Sequence, residues 1–426
     1  MTPVANPAAA SGATPRDRIR VRVAIYASLA AVAVASSFLL TKSVDLSVYW
    51  YAVTGYFTGS RPAYGPNSGI GYPMEYRYPP VTYLLLFPLK WFSFRAAGIC
   101  WMLAAWVTAI ASVSLAVRIR KLRFSSGSII ACCAFMLAYV VLAVRYGNVQ
   151  PFVIAWLLAA LALAETYPIF AGILLALAVT FKIWPIMFVP WFLRKARIRA
   201  LSIFLVVFLV LWLLPFPIFG SARYWSLLRD WYAAVHRMGT TYSEFYYFPS
   251  QSLRGLLLRY LTPVAPPLKS FPQVNFLSLS PHMAVVIWGV ASLIIYTATA
   301  VTMLRSNPRK QWMWDGAVFV VYSLLEPYAV KSGLISLGPA ALIAASLFTF
   351  GTHAKTRTSR LLSSANWLFL SACSISFLQA VLQYKPWQRV LLDVGLDFWT
   401  ELLLLAAFLI WIRALPDLDQ VRSYSL

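Results

Sequence analysis

The chain has 426 residues, of which 61% are apolar and 12% are charged, and its 36 Lys and Arg outnumber its 13 Asp and Glu to give a net charge of +23. A soluble protein carries about 25% charged residues and could not bury this much apolar surface at this length. The composition also excludes a disordered chain, a collagen or a small disulfide scaffold, and it predicts an all-α polytopic membrane protein.

The first predicted membrane helix follows a basic stretch, residues 16–22, and ends near residue 41. Basic flanks mark the cytoplasmic side of a membrane helix. An N-terminal tail, 1–22, is therefore predicted inside, followed by a single transmembrane domain over 23–413 and a second inner tail over 414–426. The segment 42–80 is predicted outside.

A short apolar run at 81–94 follows the first outer loop. At 1.5 Å per residue it reaches about 21 Å, which is too short to cross a bilayer. We therefore predict an interfacial or re-entrant helix at the outer surface. The next basic cluster, at 118–123, then requires a crossing between Arg95 and Val117.

The remaining apolar runs bring the predicted total to about 12 crossings. The clear ones are 127–144, 149–164, 200–219, 283–304, 312–330, 334–350, 362–382 and about 396–412. The run 167–193 is broken by Lys182-Ile183-Trp184-Pro185 and is predicted to enter the membrane and return as two short helices. The four cysteines lie in apolar runs and the three histidines are scattered, so the sequence predicts no disulfide, metal site or cofactor.

Topology accounts for most of the positive charge. The predicted inner segments contain 20 basic residues, which include Arg120 and Arg197, and 5 acidic residues, which include Glu165 and Asp315. The rest of the chain contains 16 basic and 8 acidic residues. About +8 of the net charge therefore belongs to the outer side or the membrane interior. An anionic lipid head group would need such charge there, whereas nucleic acid is not indicated.

Two long outer loops, about 42–80 and 220–282, are rich in Tyr, Trp and Pro. Asp45 lies near the start of the first loop, among aromatic residues. A partly desolvated carboxylate there would be an improved proton acceptor. The alternative is that Asp45 caps a helix over 46–57, and the two roles are compatible.

Aromatic and amide side chains around this loop are candidate sugar- or acceptor-binding groups. Aromatic rings stack on sugars, although they also form membrane-interface belts. The candidates are Tyr49, Trp50, Tyr76, Tyr78, Gln150, Trp184 and Gln251.

Several motifs occur in an order that resembles glycosyltransferase family 87. They are Asp45-Leu46-Ser47-Val48-Tyr49-Trp50, Tyr76-Arg77-Tyr78-Pro79-Pro80, Gly147-Asn148-Val149-Gln150, Phe181-Lys182-Ile183-Trp184-Pro185 and Gln251-Ser252-Leu253-Arg254-Gly255. That family contains bacterial polyprenol-phosphate-mannose-dependent α-mannosyltransferases. The resemblance implies a GT-C type fold, a lipid-phosphate sugar donor used at the outer leaflet, inversion at the anomeric carbon, and Asp45 as general base.

One stretch departs from the family pattern. Where members commonly show Ser-Pro followed by Trp, an acid and histidines, this chain reads Glu326-Pro327-Tyr328-Ala329-Val330-Lys331-Ser332. Lys331 and Ser332 stand near the positions of the missing histidines. This leaves open a catalytically silent relative that binds a lipid-linked sugar.

Five cations are candidate ligands of the donor phosphate: Lys182, Arg254, Lys331, Arg145 and Arg77. Four of them have an alternative role, which for Lys331 is that of a solvated loop lysine. Lys182 would pair with a buried acid such as Glu326, Arg145 would snorkel to the interface, and Arg254 would anchor its loop.

The sequence therefore predicts a glycosyltransferase of a bacterial cytoplasmic membrane. It would move a sugar, with mannose the first candidate, from a polyprenyl-phosphate donor to a lipid or glycan acceptor. A lipid-sugar transporter or flippase is the alternative from another class. Such transporters tend to show paired broken helices, and the second half of this chain has no counterpart of the break at Lys182.

Overall fold

The computed structural model describes residues 44–71, 74–240, 250–263, 273–327, 329–353, 359–382 and 387–415. The described residues are almost entirely helical, with one isolated bridge between Ser250 and Val330 in place of any strand. The predicted all-α class is confirmed. The predicted first membrane helix and most of the two predicted tails fall outside the described residues.

The first described part covers the loop that was predicted to lie outside and two long helices. Its elements are α1 Val44–Thr58, α2 Val81–Leu85, a 3₁₀ turn Phe87–Trp91, α3 Phe94–Arg120 and α4 Ser126–Tyr146. The predicted short helix at 81–94 is thus a short α-helix followed by a 3₁₀ turn. Ser93 follows this turn and caps α3, because its side chain accepts a hydrogen bond from the Ala96 amide.

The middle of the chain contains shorter apolar helices. They are α5 Gln150–Leu163, α6 Pro168–Phe181, a 3₁₀ turn Trp184–Phe188, α7 Val189–Phe192, α8 Ile198–Leu213, α9 Pro215–Phe219 and the amphipathic α10 Ser221–Thr240. The break predicted at Lys182 separates α6 from the 3₁₀ turn. Pro185 and Pro190 lie in the first turns of the segments that follow, where proline costs no hydrogen bond.

The last part completes the bundle. It contains α11 Leu253–Leu261, α12 Pro281–Arg305, a 3₁₀ turn Pro308–Lys310, α13 Gln311–Leu325, a 3₁₀ turn Gly333–Leu337, α14 Gly338–His353, α15 Ser359–Leu382, α16 Trp387–Asp393 and α17 Leu396–Ala414. Helix α13 is the most enclosed element, since all of its residues are buried.

Six helical stretches in the described part are long and apolar enough to cross a membrane: Phe94–Arg120, Ser126–Tyr146, Ile198–Phe219, Pro281–Arg305, Gly333–Gly351 and Arg360–Leu382. Helices α5 and α6 are apolar but shorter. The chain is therefore a polytopic membrane protein, whereas the predicted total of 12 crossings stays a prediction.

Two glycines allow helices to approach closely. A Cβ at Gly172 of α6 would lie 2.7 Å from the carbonyl oxygen of Ala200 in α8, and one at Gly316 of α13 would lie 2.5 Å from the Phe408 ring of α17. Since such contacts are far inside van der Waals distance, larger residues would push these helix pairs apart.

Four charged residues that were all predicted to lie inside meet in one cluster. Arg197 contacts Glu165 at 3.0 Å and Asp315 at 3.2 Å, and Arg120 lies 3.7 and 3.6 Å from the same two carboxylates. We call this set the inner cluster. It joins the ends of α3, α5, α8 and α13.

Candidate functional site at Asp45

Asp45 lies in the first turn of α1, and its carboxylate is held from another part of the chain. Asn148 donates a hydrogen bond from Nδ2 to Asp45 Oδ2 at 2.8 Å. Burial raises the pKa of Asp45 to about 6, although the hydrogen bond from Asn148 and the nearby charge of Lys182 act in the opposite direction. Asp45 is therefore a stronger base than an ordinary aspartate and is still mostly ionised at neutral pH.

The Gly147-Asn148 turn explains why this amide faces Asp45. Gly147 ends α4 with a left-handed φ of 65°, which glycine adopts without strain. Asn148 Oδ1 then accepts a hydrogen bond from the Gln150 amide at 2.7 Å at the start of α5. Because the oxygen is used there, the NH₂ group is left to donate to Asp45.

Lys182 and Glu326 form an ion pair beside this carboxylate. The ammonium of Lys182 donates to Glu326 Oε1 at 3.1 Å. Lys182 directly follows α6, and Glu326 directly follows α13. The contact with Glu326, which was the alternative to phosphate binding for Lys182, is thus present, and the charge of Lys182 also acts on Asp45.

Two tyrosine hydroxyls border the same space. The Tyr49 and Tyr78 hydroxyl oxygens are 2.9 Å apart, and their rings meet edge to face at 5.2 Å. Burial and the negative charge of Asp45 raise the pKa of both phenols, and the Glu326 charge adds to this effect at Tyr78. Both hydroxyls therefore stay protonated, and because one donates to the other, the second keeps its proton for a further hydrogen bond.

Gln150 closes the cluster from α5. It is fully buried, and its Nε2 donates to the Tyr322 hydroxyl at 3.4 Å. Its Oε1 is buried and receives no hydrogen bond within the described residues. We refer to Asp45, Tyr49, Tyr78, Asn148, Gln150, Lys182, Tyr322 and Glu326 as the Asp45 cluster.

Other predicted ring residues serve the packing of the first loop. The Tyr76 hydroxyl bonds to Thr82 Oγ1 at 2.6 Å, and its ring lies 4.5 Å from that of Tyr83. Trp50 donates from its indole nitrogen to the Phe92 carbonyl at 3.0 Å. The Trp50 contact joins α1 to the segment before α3, and the Tyr76 contacts join the first loop to α2. Trp184 is half-buried at the start of its 3₁₀ turn.

The predicted residues of the second loop lie against other backbone segments. Gln251 donates two hydrogen bonds to backbone carbonyls: its main-chain nitrogen donates to Ala329 at 2.6 Å, and its Nε2 donates to Leu392 at 3.0 Å. The Arg254 guanidinium lies over the Trp288 ring at 5.2 Å. Both residues are buried.

Lys331 belongs to a second buried polar cluster. Its ammonium donates to Gln379 Oε1 at 2.8 Å and lies 3.9 Å from Asp397 Oδ2. Asp397 also accepts a hydrogen bond from the Tyr139 hydroxyl at 2.9 Å. These contacts link the segment after α13 to α4, α15 and α17.

The last two predicted cations differ in setting. The charge of Arg77 acts on the Tyr78 phenol, and the Arg77 carbonyl accepts a hydrogen bond from the Trp231 indole at 3.0 Å. Arg145 lies in the last turn of α4 and is exposed. Arg77 is thus at the border of the Asp45 cluster.

An apolar cavity of about 260 Å³ extends from Asn148 between α3, α4 and α5. Along α3 it is lined from Met102 to Val113, a distance of about 16 Å at 1.5 Å per residue. Pro339 and Leu342 close it on the side of α14. The cavity therefore has a polar end at the amide that holds Asp45 and an apolar body along the helices.

Residues 76–325 match the family model described as Glycosyltransferase family 87. The match covers more than half of the chain, so the chain belongs to that family and is a membrane glycosyltransferase by class. Neither a curated protein nor a solved structure matches this chain.

Three residues of the Asp45 cluster were not predicted as site residues. Asn148 lies in the Gly-Asn-Val-Gln motif, of which only Gln150 was predicted as a site residue. Glu326 entered only as a partner for Lys182, and Tyr322 gave no signal because it lies within an apolar run. An amide after a helix-ending glycine and a glutamate before proline at the end of an apolar run were the available signals for the first two.

Proposed function

We propose that this family member is an inverting transferase that takes its sugar from a polyprenyl-phosphate donor, with mannose the first sugar to test and Asp45 as general base. The observation that carries the proposal is the continuity between the Asp45–Asn148 hydrogen bond and the apolar cavity. A lipid-phosphate sugar needs a long apolar space for its chain and a polar space for its head. The cavity and the Asp45 cluster offer these two spaces end to end.

In this proposal the donor chain lies along α3, α4 and α5, and the phosphate lies near Lys182. An ammonium binds phosphate as a compact point charge and can reorient on its flexible stem. Arg77 is the next candidate, because its charge reaches Tyr78. Lys331 is engaged by Gln379 and Asp397, so we assign it a role in packing.

The chemistry then requires one proton transfer. Asp45 takes the proton from the acceptor hydroxyl as the acceptor oxygen bonds to the anomeric carbon. The bond between that carbon and the phosphate oxygen breaks on the opposite face, which inverts the centre. Polyprenyl phosphate leaves as an anion, so no strong acid is needed.

Sugar recognition would use the protonated phenols and the free amide oxygen. Of the bonded pair Tyr49 and Tyr78, one hydroxyl can donate to the sugar and the other can accept from it, and Gln150 Oε1 can accept a further hydrogen bond. Buried polar groups are normally satisfied, so an acceptor left without a partner in this cluster is consistent with a ligand that carries hydroxyls.

The predicted topology places this reaction at the outer face of a bacterial cytoplasmic membrane, within a GT-C type fold. The inner cluster supports that orientation because it gathers residues predicted to lie inside. The acceptor would be a lipid or glycan that approaches from the outer side.

The test is transfer of radiolabelled mannose from synthetic polyprenyl-phosphate-mannose to endogenous lipid by the purified protein. Asp45→Asn keeps the size of the side chain and removes the base, so we expect transfer to fall by about 10²–10⁴-fold. Asp230→Asn, at an exposed acid of α10, is the matched control and should keep full activity. Full activity of Asp45→Asn would exclude Asp45 as the base.

The other outcomes separate the alternatives. Donor binding without transfer to any acceptor would favour a catalytically silent relative. Movement of the lipid-linked sugar across vesicle membranes without a new glycosidic bond would favour a flippase.

A further inference from the structure

The Lys182–Glu326 pair is unusual for its position. Both residues directly follow apolar helices, and their side chains are 20% and 5% exposed. An ammonium and a carboxylate this far from water are stable only when each has a partner. The second oxygen of Glu326, Oε2, is buried and makes no hydrogen bond within the described residues.

This pair lies beside the proposed base. The charge of Lys182 acts on Asp45, and the Tyr78 phenol feels the carboxylates of both Asp45 and Glu326. The remaining titratable groups around these three charges are Tyr49, Tyr322, Arg77 and, from α17, Glu401. Lys182 thus pairs with Glu326, and its positive charge also acts on Asp45.

We infer that Glu326 is a positioning residue of this site, which holds the Lys182 ammonium beside Asp45 and offsets part of its positive charge. The inference rests on the proposed function of Asp45 as a base. With Glu326 in place, Asp45 feels an ammonium whose charge is partly neutralised at 3.1 Å.

Loss of either Glu326 or Lys182 would change the pKa of Asp45. A Lys182 ammonium with no carboxylate at 3.1 Å would stabilise ionised Asp45 too strongly and make it a weak proton acceptor. Without Lys182, Asp45 would hold its proton near neutral pH, because burial disfavours the ionised form. The Lys182–Glu326 pair therefore holds the pKa of Asp45 between these two extremes.

The experiment measures the pH dependence of kcat/KM for transfer from polyprenyl-phosphate-mannose. In the wild type the acid limb should lie near the Asp45 pKa of about 6. Glu326→Gln should move this limb to lower pH by about one unit, and Lys182→Met should move it to higher pH by a similar amount. The double variant should show the limb of Lys182→Met alone, because the effect of Glu326 on Asp45 is proposed to act through the Lys182 ammonium.

Two controls separate positioning from folding. Glu326→Asp keeps the carboxylate and should return the limb close to the wild-type value. Asp315→Asn removes another buried, paired acid at the opposite end of α13 and should lower the amount of folded protein without moving the limb. An unmoved limb in Glu326→Gln, or an equal shift with and without Lys182, would overturn the inference.

A second readout does not depend on turnover. The infrared band of the protonated Asp45 carboxyl, identified by its loss in Asp45→Asn, reports the same titration. Glu326→Gln should lower the pH at which this band titrates, and Lys182→Met should raise it. If the wild type transfers no sugar but the band shifts as stated, the proposed reaction fails and the role of Glu326 stands.

Discussion

The inner cluster and the Asp45 cluster lie at opposite ends of α13, and they differ in how fully their charges are satisfied. Asp315 and Glu326 are 11 residues apart, or about 16 Å along a helix. In the inner cluster two arginines meet two carboxylates, and both oxygens of Asp315 accept hydrogen bonds from Arg197. In the Asp45 cluster the one ion pair among the described residues joins Lys182 to Glu326, and Asp45 accepts a hydrogen bond from the neutral amide of Asn148.

The difference agrees with a structural role for the inner cluster and with the ligand-binding role proposed for the Asp45 cluster. Bidentate arginine–carboxylate contacts fix geometry and leave no spare capacity. Two acceptors of the Asp45 cluster, Gln150 Oε1 and Glu326 Oε2, have no hydrogen-bond donor in the part of the chain that the structure describes, and the cluster adjoins the apolar cavity. Substitutions at the two ends should therefore affect different properties.

The largest expected effect is a loss of stability at the inner end. Arg197→Met leaves Asp315 and Glu165 without their main partner, and breaking a buried pair costs about 3–5 kcal/mol. We expect a much lower thermal transition in detergent and a poor yield of folded protein. Arg199→Met, at an exposed position two residues away, should behave as wild type. Equal stability of both variants would refute the structural role of the inner cluster.

In the Asp45 cluster, Lys182→Met should lower transfer activity, and a second change that restores stability should not restore that activity. We expect kcat/KM to fall by about 100-fold, equivalent to about 2.7 kcal/mol. Adding Glu326→Gln removes the unpaired acid, so the double variant should recover thermal stability while its transfer activity stays low. Recovery of activity together with stability would mean that Lys182 acts only in folding.

The cavity predicts a smaller effect that depends on the donor chain. Ala109→Phe fills the cavity lined by α3 and should raise KM for a long-chain donor about tenfold, or about 1.4 kcal/mol. A donor with a short chain should be affected less. Ala104→Phe, on an exposed face of the same helix, is the control. Equal effects on both donors would place the lipid chain elsewhere.

Asn148→Ala should give the smallest change, and it should depend on pH. Asn148 stabilises ionised Asp45, so its removal raises the Asp45 pKa further above about 6. Activity should fall several-fold at pH 6 and return towards wild type at pH 8, where Asp45 is ionised in both proteins. A loss of the same size at both values would point to altered geometry.

Local patterns predicted the helices well. The apolar runs at 127–144, 200–219 and 283–304 became α4, α8 with α9, and α12, because a backbone in lipid must satisfy its own hydrogen bonds. The break at Lys182 was also visible, since Pro185 cannot continue α6. Of the site, the sequence indicated Asp45 as the candidate base, which stays a prediction. It also offered Glu326 as an alternative partner of Lys182, and the structure contains that contact.

The convergence of distant segments could be decided only by the tertiary structure. Asn148 reaches Asp45 across 103 positions of the chain, and Lys182 reaches Glu326 across 144. Lys331 and Arg254 looked equivalent to Lys182 in the sequence, but their described partners are Gln379, Asp397 and Trp288. Composition and periodicity act along the chain and so determined a basic, helical membrane protein. Which of its charges share one site depends on how the helices pack, and no local pattern encodes that.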